Sequence, residues 1–263
     1  MAGKLYGVGV GPGDPELLTL KAVRIIENCQ VIAVPGEIPE ESVAWQIIEK
    51  AGIRDLEEKK LMGISMPMTK DEKKLLSAHE KGISDLKIAL DQGEDLAFLT
   101  LGDPTVYSTY MYLHHEIGKL GYQTEIINGI PSFCAAAAKA GIELGKGAEQ
   151  IHVIPASYQM EEALNLSGTK ILMKSGREYP KVKQILEELM CKSSNMVSVA
   201  DIDKKRPVCK PSSMASAADM DGKSQHVVMV ENCGMESEKI YDGIENLPEE
   251  AGYYTLIIIK DEV

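Results

Sequence analysis

A short buried strand followed by a Gly-Asp-Pro turn is the feature that most constrains the fold of this chain. Residues 97–101 form an apolar run typical of a strand buried on both faces of a parallel sheet. Gly102, Asp103 and Pro104 follow it, and Asp before Pro predicts that a helix begins here. Ligands bind at this edge of open α/β sheets, so the pattern predicts an α/β protein with a site at the turn. The alternative is that Asp103 is only a helix cap.

A second Gly-Asp-Pro turn, at residues 13–15, follows the first predicted strand, at residues 5–10. Strand, turn and helix therefore occur twice. The glycine-rich run before this turn resembles a dinucleotide-binding loop but lacks its spacing. The G-x-G-x-x-G pattern needs its third glycine where this chain has Pro12 or Asp14, depending on where the pattern begins. The phosphate-binding pattern G-x-x-x-x-G-K-[ST] is also absent from the chain.

The predicted elements divide the chain into two α/β domains. Residues 1–127 alternate strands and helices, which is typical of a parallel sheet. Residues 128–263 have strands that cluster towards the end, which predicts a mixed sheet with the apolar run at 256–259 in a central strand. Strands are predicted at 5–10, 31–34, 62–68, 97–101, 123–127, 151–155, 169–174, 196–200, 227–230 and 253–260, and helices at 14–28, 40–50, 71–92, 103–120, 133–138, 161–166, 179–191 and 235–244.

Charge and composition exclude several classes of protein. The net charge of −12 makes the chain as a whole unsuited to non-specific nucleic-acid binding. It has no long apolar run and no N-terminal signal pattern, so we expect a cytoplasmic protein without a membrane span. The five cysteines are widely spaced and form no CxxC pair, which favours reduced thiols. No metal site is predicted, because the five histidines show no metal-ligand spacing.

Three stretches resemble a known family and lie in that family's order. Residues 7–22 and 101–109 resemble the two signatures of the tetrapyrrole (precorrin) methylases, and residues 129–132 resemble the start of their interdomain linker. The likeness covers the whole chain. It is greatest to precorrin-2 or cobalt-factor II C20-methyltransferases, through residues 66–70, 100–113 and 129–138. Asn128 departs from the pattern, since relatives often have proline there.

The resemblance implies a ligand set as well as a fold. It implies two α/β domains with S-adenosylmethionine in the cleft between them, a homodimer, and a first glycine-rich loop that faces the tetrapyrrole substrate. The implied cofactor contacts are Gly102, Asp103, Tyr107, Ser108, Thr109, Ile130, Met173, Asn232 and Cys233. The implied substrate contacts are Gly9, Gly11, Pro12, Gly13, Asp14 and Arg177.

The expected reaction is the transfer of a methyl group from a sulfonium to a meso carbon of the macrocycle. The groups predicted to be catalytic are Asp103, Tyr107 and Lys174, of which Asp103 would orient the cofactor's amino group or balance its charge. The substrate carries many carboxylates, and the cations that we expect to pair with them are Lys174, Arg177, Lys204, Lys205 and Arg206. Two alternatives remain open: a methylase of another acceptor (a different precorrin position, diphthamide or ribosomal RNA), or a non-catalytic module that binds S-adenosylmethionine.

Overall fold

The computed structural model describes residues 1–67, 69, 71–155, 162, 164–193 and 225–261. These residues form two compact units, Met1–Ala135 and Ala136–Val263. The predicted domain boundary between residues 127 and 128 stays a prediction. The strand predicted at 196–200, residues 161 and 163 of the helix predicted at 161–166, and the basic residues Lys204, Lys205 and Arg206 lie outside the described residues.

The first unit is built on a five-stranded sheet in which every described pairing is parallel. Its strands are β1 (Lys4–Gly9), β2 (Val31–Pro35), β3 (Lys60–Ile64), β4 (Leu96–Thr100) and β5 (Gln123–Ile127), in the order β3-β2-β4-β1-β5. All five residues of β4 are buried, as its apolar sequence predicts. Gly9 pairs with Thr100 and Val8 with Ile127, so the carboxyl ends of β4, β1 and β5 lie side by side.

Helices cover both faces of this sheet. They are α1 (Leu20–Asn28), α2 (Val43–Lys50), α3 (Glu72–Asp91) and α4 (Tyr110–Lys119), and α5 (Ser132–Ala140) follows β5. Ile26 of α1 and Ile48 of α2 belong to one buried cluster, whereas Leu86 of α3 and Leu113 of α4 belong to a second. The α/β fold class predicted from the sequence is therefore confirmed for this unit.

Neither Gly-Asp-Pro turn begins an α-helix, and the two predicted helix starts are wrong. Asp14 caps only the short 3₁₀ turn Pro15–Leu17, and α1 begins after the N-cap Thr19, whose side chain accepts a hydrogen bond from the Ala22 amide. After Asp103 the chain makes a turn, and α4 begins at Tyr110. The reason lies at Tyr107, whose φ of +51° is incompatible with a right-handed helix.

The second unit contains the predicted mixed sheet. Its strands are β6 (Ile151–Pro155), β7 (Thr169–Met173), β8 (Gln225–Glu231), β9 (Lys239–Asp242) and β10 (Thr255–Asp261), in the order β6-β7-β10-β8-β9. Among these described strands β6 and β7 pair in parallel and the other pairs are antiparallel, and β10 is the central strand, as its continuous apolar run predicts. The helix α6 (Tyr179–Ser193) packs Val182 and Leu186 into the same apolar cluster as Met229 and Ile257.

The helix predicted at 235–244 is wrong, because this segment forms β9 and the 3₁₀ turn Ile244–Asn246. Gly234, with φ of +77°, and the hydrogen bond from the Met235 amide to the Asn232 carbonyl form the reversing turn before β9. β9 then pairs antiparallel with β8. Pairing with β8 satisfies the backbone hydrogen-bonding groups of this segment, and this tertiary pairing outweighs its local helical preference.

Candidate functional site

Three glycines meet where β4, β1 and β5 end. A Cβ added to Gly129 would lie 2.2 Å from the carbonyl oxygen of Gly102, and one added to Gly9 would lie 2.5 Å from the Gly129 nitrogen. Both distances are shorter than any real Cβ contact, so the backbones approach in a way that only glycine allows. The structure therefore packs the three loops at this edge directly against one another.

The two Gly-Asp-Pro regions are joined by a backbone bridge. The Gly102 amide donates to the Gly11 carbonyl at 2.7 Å, and the Gly11 amide donates to the Gly102 carbonyl at 3.3 Å. Both glycines have positive φ, +71° and +76°. The predicted substrate loop and the predicted cofactor loop thus touch. Pro12 and Gly13 of the same loop are buried, whereas Asp14 is used locally to cap a 3₁₀ turn.

The carboxylate of Asp103 is buried, with 5% of the residue exposed, and it accepts four hydrogen bonds. Its Oδ1 accepts from the amide of Thr105 at 2.8 Å and from the hydroxyl of Thr105 at 2.5 Å. Its Oδ2 accepts from the Gly129 amide at 3.0 Å and from Nδ2 of Asn128 at 3.1 Å. Burial by itself would raise the pKa of Asp103, but these hydrogen bonds outweigh it and hold the pKa below its usual value.

Asp103 therefore fastens its own turn to the loop after β5. The four bonds explain how a carboxylate is accommodated in this buried position. Its predicted direct contact with the cofactor's amino group stays a prediction.

The rest of the predicted cofactor loop is presented at the surface. Tyr107 is 44% exposed and adopts the left-handed conformation, which costs about 1–3 kcal/mol for a residue other than glycine. Ser108 accepts a hydrogen bond from the amide of Tyr110 at 3.1 Å and is half-buried, as is Ile130. Thr109 is exposed and precedes α4. The surrounding structure thus holds a strained, accessible turn in place.

Strain recurs at the predicted site of the second unit. Lys174 follows β7 with φ of +58°, and Asn232 follows β8 with φ of +50°. Among the described residues, four residues other than glycine have positive φ, and three of them are predicted site residues: Tyr107, Lys174 and Asn232. Such strain persists where surrounding contacts impose it, and it clusters at functional sites.

Met173 ends β7, and Cys233 is buried beside Asn232. Arg177 lies in the 3₁₀ turn Gly176–Glu178.

Glu231 is a site-edge residue that the sequence analysis missed. It is 7% exposed, and its carboxylate accepts from the Gly252 amide at 2.6 Å, from the Thr255 hydroxyl at 3.4 Å and from the Tyr241 hydroxyl at 3.1 Å. It joins the end of β8 to the start of β10. An acidic residue that ends an otherwise apolar strand was the signal available in the sequence.

Two adjacent tyrosines, also missed, lie at the same sheet edge. Tyr253 and Tyr254 are 46% and 39% exposed, and their ring centroids are 5.0 Å apart. The Tyr254 carbonyl accepts a hydrogen bond from the Asn232 amide at 2.9 Å. The strained Asn232 is therefore tied to an accessible aromatic pair.

The described residues include neither a metal-binding cluster nor a membrane-spanning helix. No group of three or more His, Cys, Asp or Glu side chains in this part of the chain is arranged to hold a metal ion. None of the helices found there combines the length and apolar character needed to cross a membrane.

Comparison with known proteins bears directly on the predicted family. Residues 4–247 match the family described as Tetrapyrrole (Corrin/Porphyrin) Methylases. A probable cobalt-precorrin-2 C(20)-methyltransferase of Methanocaldococcus jannaschii is 36% identical over 173 residues, which are 65% of this chain and 72% of that protein. The precorrin-2 C(20)-methyltransferase of a Sinorhizobium species is 32% identical over 195 residues, 70% of this chain and 78% of that protein.

A solved structure shows the same fold. Uroporphyrin-III C-methyl transferase from Thermus thermophilus, crystallised with S-adenyl homocysteine, aligns with a TM-score of 0.63 and 18% sequence identity. The alignment covers 98% of this chain and 97% of the other. The family match takes in both glycine-rich turns of the first unit and the strand ends of the second, up to residue 247. The chain therefore belongs to the family of tetrapyrrole (corrin/porphyrin) methylases.

Proposed function

We propose that this protein transfers a methyl group from S-adenosylmethionine to C20 of precorrin-2 or of cobalt-factor II in cobalamin biosynthesis. The relatives from Methanocaldococcus jannaschii and Sinorhizobium, each above 30% identity, carry names for this reaction and support the proposal. The observation that carries it is the joined pair of turns, in which Gly102 of the predicted cofactor loop bridges Gly11 of the predicted substrate loop.

The turn after β4 has groups suited to S-adenosylmethionine. The cofactor combines a cationic sulfonium with polar amino-acid, ribose and adenine groups. The buried Asp103 carboxylate, ionised because of its lowered pKa, supplies negative charge at this turn. The hydroxyls of Ser108 and Thr109 and the glycine backbone supply hydrogen-bonding groups that a ligand can approach closely. We therefore propose that this turn holds the cofactor, together with Met173, Asn232 and Cys233 of the second unit.

The bound cofactor supplies an activated methyl group, and the protein's contribution is positioning. Well-oriented reactants gain roughly 7–11 kcal/mol over the same reaction free in solution. The strained turn at Tyr107 is fastened by the Gly11–Gly102 bridge and by Asp103, so it presents its side chain with little freedom. In this proposal Tyr107 orients the reacting groups. Lys174 and Arg177 pair with substrate carboxylates, and residues 9–14 contact the macrocycle.

Two finer expectations accompany this function. We propose that the protein is a homodimer, as its family resemblance implies, and that it works in the cytoplasm, as its widely spaced cysteines favour. Light scattering during size-exclusion chromatography tests the first expectation. A mass near twice the chain's 28.7 kDa supports a dimer, and a mass near 28.7 kDa refutes it.

The test of function is methyl transfer from labelled S-adenosylmethionine under anaerobic conditions, with precorrin-2 and cobalt-factor II offered separately. One added methyl group, located by mass and NMR at C20, is the expected result. Labelling of only one macrocycle identifies the physiological form of the substrate. Cofactor binding without labelling of either macrocycle would contradict the proposal and favour another acceptor or a binding module.

A further inference from the structure

Asn128 joins three segments at the carboxyl edge of the first sheet. It lies between β5 and Gly129, and its Nδ2 donates to Oδ2 of Asp103 at 3.1 Å. Its carbonyl accepts a hydrogen bond from the Thr19 hydroxyl at 3.4 Å, and Thr19 is the N-cap of α1. One residue thus connects the loop after β5 to the loop after β4 and to the helix that follows β1.

The bond from Asn128 is the contact with another loop that a side-chain substitution can remove, because the other such contact comes from the Gly129 backbone. Two of the four bonds to Asp103 come from Thr105 within the same turn, and a third comes from the Gly129 backbone. Within the part of the chain that the structure describes, Asn128 and Gly129 are the residues that reach the carboxylate from a different loop. An ionised carboxylate only accepts hydrogen bonds, so Asn128 must present its amide nitrogen here.

We propose that Asn128 is a positioning residue for the cofactor, because its side-chain amide holds Asp103 and with it the turn 102–109. This inference rests on the proposed function, since it presumes that the turn binds S-adenosylmethionine. Asn128 is itself exposed, so the loss of its amide leaves the apolar core untouched. Because the backbone conformation at Tyr107 is strained, we expect the turn to move once one of the hydrogen bonds that restrain it is lost.

The sharpest test replaces the amide by a carboxylate in Asn128→Asp. Two carboxylates at hydrogen-bond distance repel each other unless they share a proton. The other titratable side chains on the three segments that meet at Asp103 are Asp14 and Glu16 before α1, Lys21, Arg24 and Glu27 on α1, and Tyr107 after β4. Near neutral pH we expect the affinity of the purified protein for S-adenosylhomocysteine, measured by calorimetry, to fall at least about tenfold. A fall of this size corresponds to the loss of the free energy of one hydrogen bond to a charged group. The affinity should recover as the pH falls and the pair takes up a proton.

Two further variants make the test specific. Asn128→Leu removes the donor without adding charge, so its affinity should fall by a similar factor at every pH. Asn28→Asp makes the same chemical change at an exposed residue that ends α1. This end of α1 lies at the opposite edge of the sheet, because the backbone amide of the nearby Gln30 donates to the carbonyl of Asp95, just before β4. The affinity of Asn28→Asp should equal that of the wild type. All three variants should melt within a few degrees of the wild type.

The outcomes separate this inference from the proposed function. A wild-type protein that does not bind S-adenosylhomocysteine refutes the function itself. If the wild type binds and both Asn128 variants bind equally well, the positioning role is wrong. An affinity loss in Asn128→Asp that does not change with pH, or a loss that Asn28→Asp shares, also overturns it.

Discussion

In each of the two sheets a buried carboxylate lies at the end of a strand, but its hydrogen-bond donors come from different loops. In the parallel sheet, Asp103 after β4 accepts from the Gly129 amide after β5, because the ends of parallel strands share one edge. In the mixed sheet, Glu231 at the end of β8 accepts from Gly252 and Thr255 at the start of β10, because antiparallel strands begin where their neighbours end. Sheet direction thus decides which loops a carboxylate can join.

The two edges also differ in how closely their backbones pack. In the first unit three glycines from three loops touch, whereas in the second the turn after β7 meets the loop before β10 at Gly176 and Gly252. Strained residues follow the strand ends in both units: Tyr107 in the first, and Lys174 and Asn232 in the second. The comparison indicates that each unit imposes an unfavourable backbone conformation at the edge where site residues are predicted.

The largest effect is expected from Gly129→Ala. Its Cβ would lie 2.2 Å from the Gly102 carbonyl oxygen, and a clash between backbones is relieved only by moving a loop. We expect a loss of about 3 kcal/mol or more in the free energy of unfolding, measured by denaturant titration.

Gly176→Ala, 2.4 Å from the Gly252 carbonyl oxygen, should be similarly severe in the second unit. Gly118→Ala is the control, because a Cβ added here inside α4 would lie 3.8 Å from Oγ1 of Thr124, an ordinary contact, and the variant should be neutral or stabilising. Equal stability of all three variants would show that close packing does not distinguish these edges.

Removing the charge of Asp103 should have the next largest effect. In Asp103→Asn one accepting oxygen becomes an NH2 group that cannot accept hydrogen bonds, and the charge that holds the other bonds is lost, so we expect a loss of about 2 kcal/mol at neutral pH. A lowered folded pKa means that the carboxylate stabilises the fold above its unfolded pKa, and that this contribution is lost as the pH falls through the folded pKa.

Urea titrations of Asp103→Asn and the wild type should therefore differ most near neutral pH. The difference should shrink steadily as the pH falls below about 4. A difference that stays constant over this range would mean that ionisation of Asp103 does not stabilise the turn.

Glu231→Gln should be milder than Asp103→Asn. The carboxylate of Glu231 accepts from one backbone amide and two hydroxyls, and the hydroxyls can turn to suit a neutral amide. We expect a loss of about 1 kcal/mol in stability, read from the same titrations. A loss larger than that of Asp103→Asn would reverse the ranking of the two edges.

The smallest change in stability is expected from Lys174→Gly. Glycine adopts positive φ without strain, but it also adds freedom to the unfolded chain, so the two effects should nearly cancel to within about 1 kcal/mol. If Lys174 pairs with a substrate carboxylate, the KM for the macrocycle should rise while the affinity for S-adenosylhomocysteine is unchanged. An unchanged KM would remove Lys174 from the proposed site.

Much of the fold was predictable because its signals are local. The strands predicted at 123–127 and 151–155 match β5 and β6 to the residue, and the Leu-Ile-Ile-Ile run predicted β10 as a central strand. The family was predictable from several glycine-rich motifs, because their order along the chain is more specific than any one motif alone. The match of residues 4–247 to the family confirms this prediction. The assignment of individual cofactor and substrate contacts remains a prediction.

The sequence by itself determined where most strands lie, which sheet is mixed, and which family the chain belongs to. The apolar character of residues and their spacing along the chain are properties of the local sequence, so they can be read without a structure. Only the tertiary structure decided that Asp103 fastens a turn instead of starting a helix, and that residues 239–242 pair with β8. Both depend on hydrogen bonds to partners that are brought close only when the sheets form: Gly129 for Asp103, and β8 for β9.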